Sequence, residues 1–304
     1  MSSPRGHEAP RGKRVSGRVQ PLIADPKADN CHAAAILSYG WKKMAPRTRE
    51  FDLKLEELLQ VLSRSQAVFT RGVVPLFYDD ENRRPQLWGT ALSVQHAGNA
   101  FLVSAKHVLR EPELYMYSSP DEKRYLAGSL HDTDDDTLDI GVLKLEGDRL
   151  PPYPHLNCFP LTLDTFVPVG LPREGNFFLG LGFPSTRTRT NTKTKSVLVR
   201  PYANFGPSIS AERQTKLGYD PDYFIAMMLR KRRVFGANGQ IQNFPDPHGM
   251  SGSPLFHLYD SNAKVNYLGG VRVAGILTRH LKDQTVMIAT HIGVARELIL
   301  SFSA

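Results

Sequence analysis

Ser251 sits in the segment DPHGMSGSPLF (246–256), flanked by Gly249 and Gly252, with Pro254 leading into an apolar run. Glycines at these places let a chain turn sharply while presenting one small hydroxyl. A serine hydroxyl is a weak nucleophile. To attack a carbonyl it needs a base to take its proton and donors aimed at the oxygen that becomes negative. Gly249 gives the backbone freedom to bring its own N–H and that of Ser251 together on such an oxygen. The same residues also make an ordinary glycine–serine turn, so the loop does not define a site by itself.

Two other residues supply the missing chemistry. His107 ends the apolar run of FLVSAKHVLR, where a strand edge would hold it, and imidazole has the near-neutral basicity that reversible proton transfer requires. An isolated histidine is equally a structural or surface residue. Asp139 stands out from the acidic run DTDDDTLD because IGVLKL follows it directly. Asp132, Asp134, Asp135 and Asp136 read as solvated loop residues, whereas Asp139 opens a buried strand. Beside His107 its carboxylate would accept the Nδ1 proton and leave Nε2 as the base facing Ser251.

These residues need strands to hold them. Short segments rich in strand-forming residues begin near residue 70: VVPLFY (73–78), LWGTALSV (87–94), NAFLVSAKHVL (99–109) and LDIGVLKL (138–145). The proline-rich LPPYPHLNCFPLTL (150–163) reads as a crossover. Strands resume at NFFLGLGF (176–183), SVLVRPY (196–202), YFIAMML (223–229), SPLFHLY (253–259), KVNYLGGVRVAGILT (264–278) and TVMIAT (285–290). Many short strands with long connections point to antiparallel barrels more than to repeated strand–helix units. IGVARELILSF at the end reads as a helix with Ile292, Ala295, Ile299 and Phe302 on one face. Upstream, Leu55, Leu58, Leu59 and Leu62 repeat at helical spacing within 51–69, predicting a helix that packs against the main domain.

With 304 residues, 41% of them hydrophobic, the chain has enough apolar material for one large core or two modest ones. No apolar stretch is long enough for a secretory signal or a membrane span, which predicts a cytoplasmic protein. The two cysteines, Cys31 and Cys158, form neither a metal-ligand cluster nor a dense disulfide framework. Of the net charge of +8, much lies in residues 1–20, where Arg5, Arg11, Lys13, Arg14 and Arg18 face only Glu8. That distribution reads as a flexible basic tail.

The three motifs together resemble those of the trypsin/chymotrypsin-like serine peptidase superfamily: AKHV its histidine motif, LDIGVLKL its aspartate strand, GMSGSP its nucleophile loop. The order histidine, aspartate, serine, at intervals of 32 and 112 residues, is similar too. The resemblance covers roughly 70–304 and implies an all-β fold of two six-stranded antiparallel barrels with a C-terminal helix. Residues 70–155 would form the first barrel, carrying His107 and Asp139, and 156–304 the second, carrying Ser251; 1–69 is a basic tail with a helical extension. It further implies His107 as general base, Asp139 as orienting acid, Ser251 as nucleophile, and the N–H groups of Gly249 and Ser251 as oxyanion hole. The implied reaction is peptide-bond hydrolysis through an acyl-enzyme, without metal or organic cofactor.

Departures from the family narrow the expectation. Val108 and Pro247 stand where secreted relatives carry cysteines, and Met250 where digestive relatives carry the aspartate that pairs with a new N-terminus. Activation by that ion pair is therefore not expected. Ser253 replaces the usual glycine, as in bacterial GxSGSP-type relatives, and Lys106 replaces an alanine without an assignable role. For substrate recognition the resemblance offers Pro245, Asp246, Thr278, Arg279, His280 and His291. The cations would favour an acidic residue before the cut, and Asp246 a basic one. A protein or peptide substrate and a regulatory protein are the expected partners.

Two other functions remain open on sequence grounds. One is a silent peptidase-like module that only binds or regulates a partner. The other is nucleic-acid binding through TRTRTNTKTK (186–195) and Arg230–Lys231–Arg232–Arg233, which lack interleaved aromatics and a recognised module.

Overall fold

The computed structural model describes residues 72–119, 122–147, 160–168, 176–191, 196–199, 201–229, 234–235, 241–243, 245–260 and 272–302. The helix expected within 51–69, both cysteines, Lys193, Lys195 and the basic run 230–233 lie outside the described residues.

The first half contains β1 (Val73–Asp79), β2 (Pro85–His96), β3 (Asn99–Ala105), the single helical turn α1 (Lys106–Leu109), β4 (Tyr115–Ser119), β5 (Glu122–Tyr125), β6 (Gly128–Asp132), β7 (Ile140–Leu145) and the two-residue β8 (Leu161–Thr162). The second contains β9 (Asn176–Gly182), β10 (Arg189–Asn191), β11 (Ser196–Leu198), β12 (Tyr202–Pro207), α2 (Ala211–Lys216), β13 (Phe224–Met228), β14 (Val234–Phe235), β15 (Ile241–Gln242), β16 (Pro254–Asp260), β17 (Arg272–Leu281), β18 (Val286–His291) and α3 (Ile292–Ser301).

Two curled antiparallel sheets result. One runs β5-β4-β1-β2-β3-β7-β6, with β8 added in parallel to β2; the other runs β12-β9-β16-β17-β18-β13. β10-β11 and β14-β15 are separate hairpins. The arrangement resembles the double barrel, but the expected pair of six-stranded closed barrels is corrected to half-barrels of eight and six strands. No ladder joins the edge strands β12 and β13 of the second sheet among the described residues; a single isolated bridge, Ser208 to Met227, links that side. The extra strands of the first sheet escaped notice because β5 (EKRY) and β6 (GSLHD) carry no apolar alternation. The stretch KHVL, read as the end of a strand, is instead the helical turn α1.

Period-two alternation explains how the first sheet is covered on both faces. In β3, Phe101 and Val103 enter the large core shared with the second sheet, while Ala100 and Leu102 enter a smaller cluster with Val108 and Leu109 of α1. Because both faces are buried, the run from Ala100 to Val103 is continuously apolar. α3 contributes Ile292, Ala295 and Ile299 to the shared core, with Phe302 packed at its margin, on the face the sequence predicts.

The sheets are tied together at Thr90 of β2. Its N–H donates to Ser251 O (2.9 Å), its hydroxyl donates to Gly249 O (3.0 Å) and accepts from Phe183 N–H (3.1 Å), and its carbonyl accepts from the Ser104 hydroxyl (2.6 Å). Thr90 is fully buried, so each of these groups depends on protein partners. Gly252 packs against the same node: a Cβ there would lie 1.9 Å from both Ser104 Oγ and Thr90 O, and its φ of +84° is left-handed.

Two outcomes follow. Thr90→Val keeps the shape and leaves the Phe183 N–H and Gly249 carbonyl unpaired, so chemical denaturation should show a loss of about 1–3 kcal/mol. Gly252→Ala combines a backbone clash with an unfavourable φ and should abolish soluble folded protein, read by circular dichroism and size exclusion.

Candidate functional site

The pairing of β3 with β7 brings the histidine and aspartate together. Ala105 faces Ile140 in the ladder, and one step beyond this pair stand Lys106 and Asp139. The Lys106 N–H donates to Asp139 O (2.9 Å), and the chain then turns into α1 with His107 outward. Asp139 adopts φ +49°, a left-handed conformation that aspartate tolerates better than most residues. Its carboxylate reaches His107 twice: Oδ1 accepts the backbone N–H (3.1 Å), and Oδ2 lies 2.7 Å from Nδ1.

A carboxylate can only accept, so the neutral ring in this contact carries its proton on Nδ1 and leaves Nε2 as a lone-pair acceptor. The Asp139 side chain is 12% exposed and that of His107 is 49% exposed. The acid is therefore sheltered, while the imidazole is open to a reactant.

Ser251 and α1 approach each other beside Gly89 of β2. A Cβ placed on Gly89 would sit 2.6 Å from Val108 Cγ1 and 3.2 Å from Ser251 O, so the residue after the histidine and the serine carbonyl border the same gap. The turn around Ser251 is fixed one residue at a time. His248 O accepts from Ser185 N–H (2.8 Å), Gly249 O is held by Thr90, Met250 O accepts from Ser253 N–H (3.0 Å), and Gly252 N–H donates to Leu277 O (2.7 Å). The Met250 side chain is 1% exposed and belongs to the shared core. Burying it is worth about 1.5–3 kcal/mol and anchors the turn where an aspartate would meet an apolar wall.

Planarity of the peptide makes these carbonyl contacts informative about N–H groups. Fixing His248 O aims the Gly249 N–H the opposite way, and fixing Met250 O does the same for Ser251 N–H. Among the described residues neither amide donates to a protein acceptor. Gly249 has φ +89°, and a Cβ there would approach Phe183 O to 2.8 Å. Glycine is thus required both by conformation and by space.

The residues named for substrate recognition are dispersed in role. Asp246 is exposed, and its Oδ1 accepts from His248 N–H (3.1 Å), shaping the loop that precedes the Ser251 turn; Pro245 is half-buried. Thr278 lies at the bulge of β17 between Leu277 and Arg279, with its hydroxyl buried and unpaired among the described residues. His280 follows on the same strand, half-buried. Arg279 Nη2 donates to Asp136 O (3.1 Å) and Thr137 O (3.4 Å). His291 is buried, and its Nδ1 accepts the Gly293 N–H (3.1 Å) as the N-cap of α3, which accounts for an imidazole there without a ligand. A cavity of about 400 Å³ is lined by Asp135, Leu138, Leu217, Tyr219, Tyr223 and Arg279, and His107, Asp139 and Ser251 are not in its wall.

Sequence reasoning missed Thr90, a lone threonine in a strand, and left Lys106 without a role. Nothing local marks the first, because its partners are 93 and 159 residues away. The second carried a signal, a charge inside an apolar motif, that only the position of the acidic loop can interpret.

Among the described residues no group of histidines, cysteines and carboxylates could hold a metal ion, and no helix is long and apolar enough to cross a membrane. No protein-family model matches the chain, and no curated protein does. Among solved structures, a mouse protein described as neuropsin, a serine protease expressed in the limbic system of the brain, aligns at 13% identity over 77% of this chain and 95% of its own, with a TM-score of 0.48.

Proposed function

We propose that this protein is a serine endopeptidase that cleaves peptide bonds through an acyl-enzyme. The observation that carries the reading is the double contact of the Asp139 carboxylate with His107, which fixes the tautomer and leaves a half-exposed Nε2 as base. In this reading Ser251 Oγ attacks the substrate carbonyl while His107 Nε2 takes its proton. Asp139 stabilises the imidazolium, and the amides of Gly249 and Ser251 bind the oxyanion. The imidazolium then protonates the leaving amine as the C–N bond breaks. Water, deprotonated by the same nitrogen, releases the acid product and restores the serine.

The fixed carbonyls of His248 and Met250 support the oxyanion role, because the amides need little reorganisation when charge develops. Anchoring of the turn by Met250 supports a centre formed on folding, without a cleaved N-terminus. The GMSGSP loop favours the GxSGSP type within the superfamily, and the scarcity of cysteines agrees with a cytoplasmic setting. A protein or peptide substrate is the partner this chemistry requires.

A serine-directed fluorophosphonate tests the proposal. The full chain should be labelled covalently, and Ser251→Ala should lose the label with its fold intact. Absence of Ser251-dependent labelling in folded protein would leave a binding module instead. With a peptide found to be cleaved, Asp139→Asn should lower kcat by about 10⁴, because the ring loses the acceptor that sets its tautomer.

A further inference from the structure

The acidic loop between β6 and β7 is held from both half-barrels, and the residue that holds it most directly is Lys106. Its side chain is 7% exposed, which is unusual for lysine and requires that its ammonium be paired. Nζ donates to Thr133 O (2.6 Å) and to Asp136 Oδ1 (2.7 Å), with Asp132 Oδ1 at 3.6 Å. The hydrogen bond with Asp136 raises the lysine above its ordinary basicity and lowers the Asp136 carboxyl below its usual range. The backbone N–H of the same lysine holds Asp139 O. One residue thus grips the loop near its start, at its middle and at the aspartate that follows it.

Other groups complete the enclosure. From α1, Arg110 makes two hydrogen bonds to Asp132 (2.9 and 3.2 Å). From the second sheet, Arg279 takes the carbonyls of Asp136 and Thr137, and the Thr290 hydroxyl donates to Leu138 O (2.5 Å). Within the loop, Asp135 Oδ1 accepts from the N–H and hydroxyl of Thr137 (2.7 Å each). The expectation of a solvated side chain is corrected for Asp132, which is 17% exposed and paired with Arg110, and holds for Asp136, which is 87% exposed while reaching Lys106.

Asp139 needs this support. It follows the loop in a left-handed conformation, and a shift of its carboxylate would release the His107 ring. The Asp136 side chain is 87% exposed, so its ion pair with Lys106 adds little to global stability; its effect is positional, exerted together with the buried bond to Thr133 O. We infer that Lys106 is a positioning residue, one whose buried ammonium fastens the 132–138 loop and thereby sets the Asp139 carboxylate against His107. The inference deepens the proposed reaction and rests on it for its kinetic consequence, but its structural content stands apart.

Full-length Lys106→Met keeps the aliphatic stem and removes the ammonium. With the fluorophosphonate as probe, its maximal labelling rate should fall at least about tenfold, with the concentration for half-maximal rate unchanged, because reactant binding is untouched while base alignment is lost. Lys106→Arg should recover most of the rate. A Lys106→Met rate equal to the parent's, or a Lys106→Arg variant as slow as Lys106→Met, overturns the inference and leaves the peptidase proposal intact.

If the parent protein itself is not labelled, the peptidase proposal fails and proton NMR of the full chain decides the inference. The His107 Nδ1–H resonance, downfield from its bond to Asp139, should be present in the parent and in Lys106→Arg and lost in Lys106→Met; its persistence in Lys106→Met overturns the tether. Should Lys106→Met not fold, Asp136→Ala, altered only at an exposed carboxylate, takes its place. A smaller loss of labelling rate or a weakened Nδ1–H resonance supports the tether, and parent-like behaviour in both overturns it.

Discussion

Thr90 joins the two sheets through hydrogen bonds that run in three directions: back to β3, across to the end of β9, and onto the turn that carries Ser251. Since the residue is wholly buried, none of these bonds has water as a substitute. The consequence is a coupling between covering the core and shaping the turn. The apolar contacts that bring the half-barrels together succeed only in the register that also satisfies Thr90, and in that register the carbonyls of Gly249 and Ser251 are already fixed. Position of the Ser251 turn is thus a by-product of closing the core.

A similar economy appears at the histidine. Nothing in the loop before Asp139 has to search for His107, because antiparallel pairing of Ala105 with Ile140 places the next residues side by side. What pairing cannot provide is the direction of the carboxylate. That comes from a left-handed turn at Asp139, a short helix that lifts the imidazole, and charges that hold the acidic loop from both sides.

His107, Asp139 and Ser251 were legible in the sequence because each needs a recognisable local setting: an apolar strand before the histidine, one after the aspartate, glycines around the serine. Most strands with apolar residues were legible for the same reason, down to the face of α3 that carries Ile292 and Ile299; β4 was not, although its Tyr115 and Met116 are buried. β5 and β6 were not, since polar strands on a sheet margin have no periodic signature. Closure was misjudged as well. Strand number in a curled sheet follows from which edges pair, and that is settled by tertiary contacts such as Ser208 with Met227. Nor does charge in a sequence declare whether it is solvated or buried. Lys106 and the aspartates opposite it read as independent surface residues until the loop folds back over α1.

The separation of 159 residues between Thr90 and Gly249 has a temporal consequence. A chain emerging in order forms β3 and β7 early and can seat the imidazole against its acid long before residue 249 exists. The turn around Ser251 has no such head start, because its carbonyls are held by residues from both sheets, and contacts so remote in sequence form late. The turn around Ser251 is then among the later parts of the fold to take shape, after the contact between His107 and Asp139.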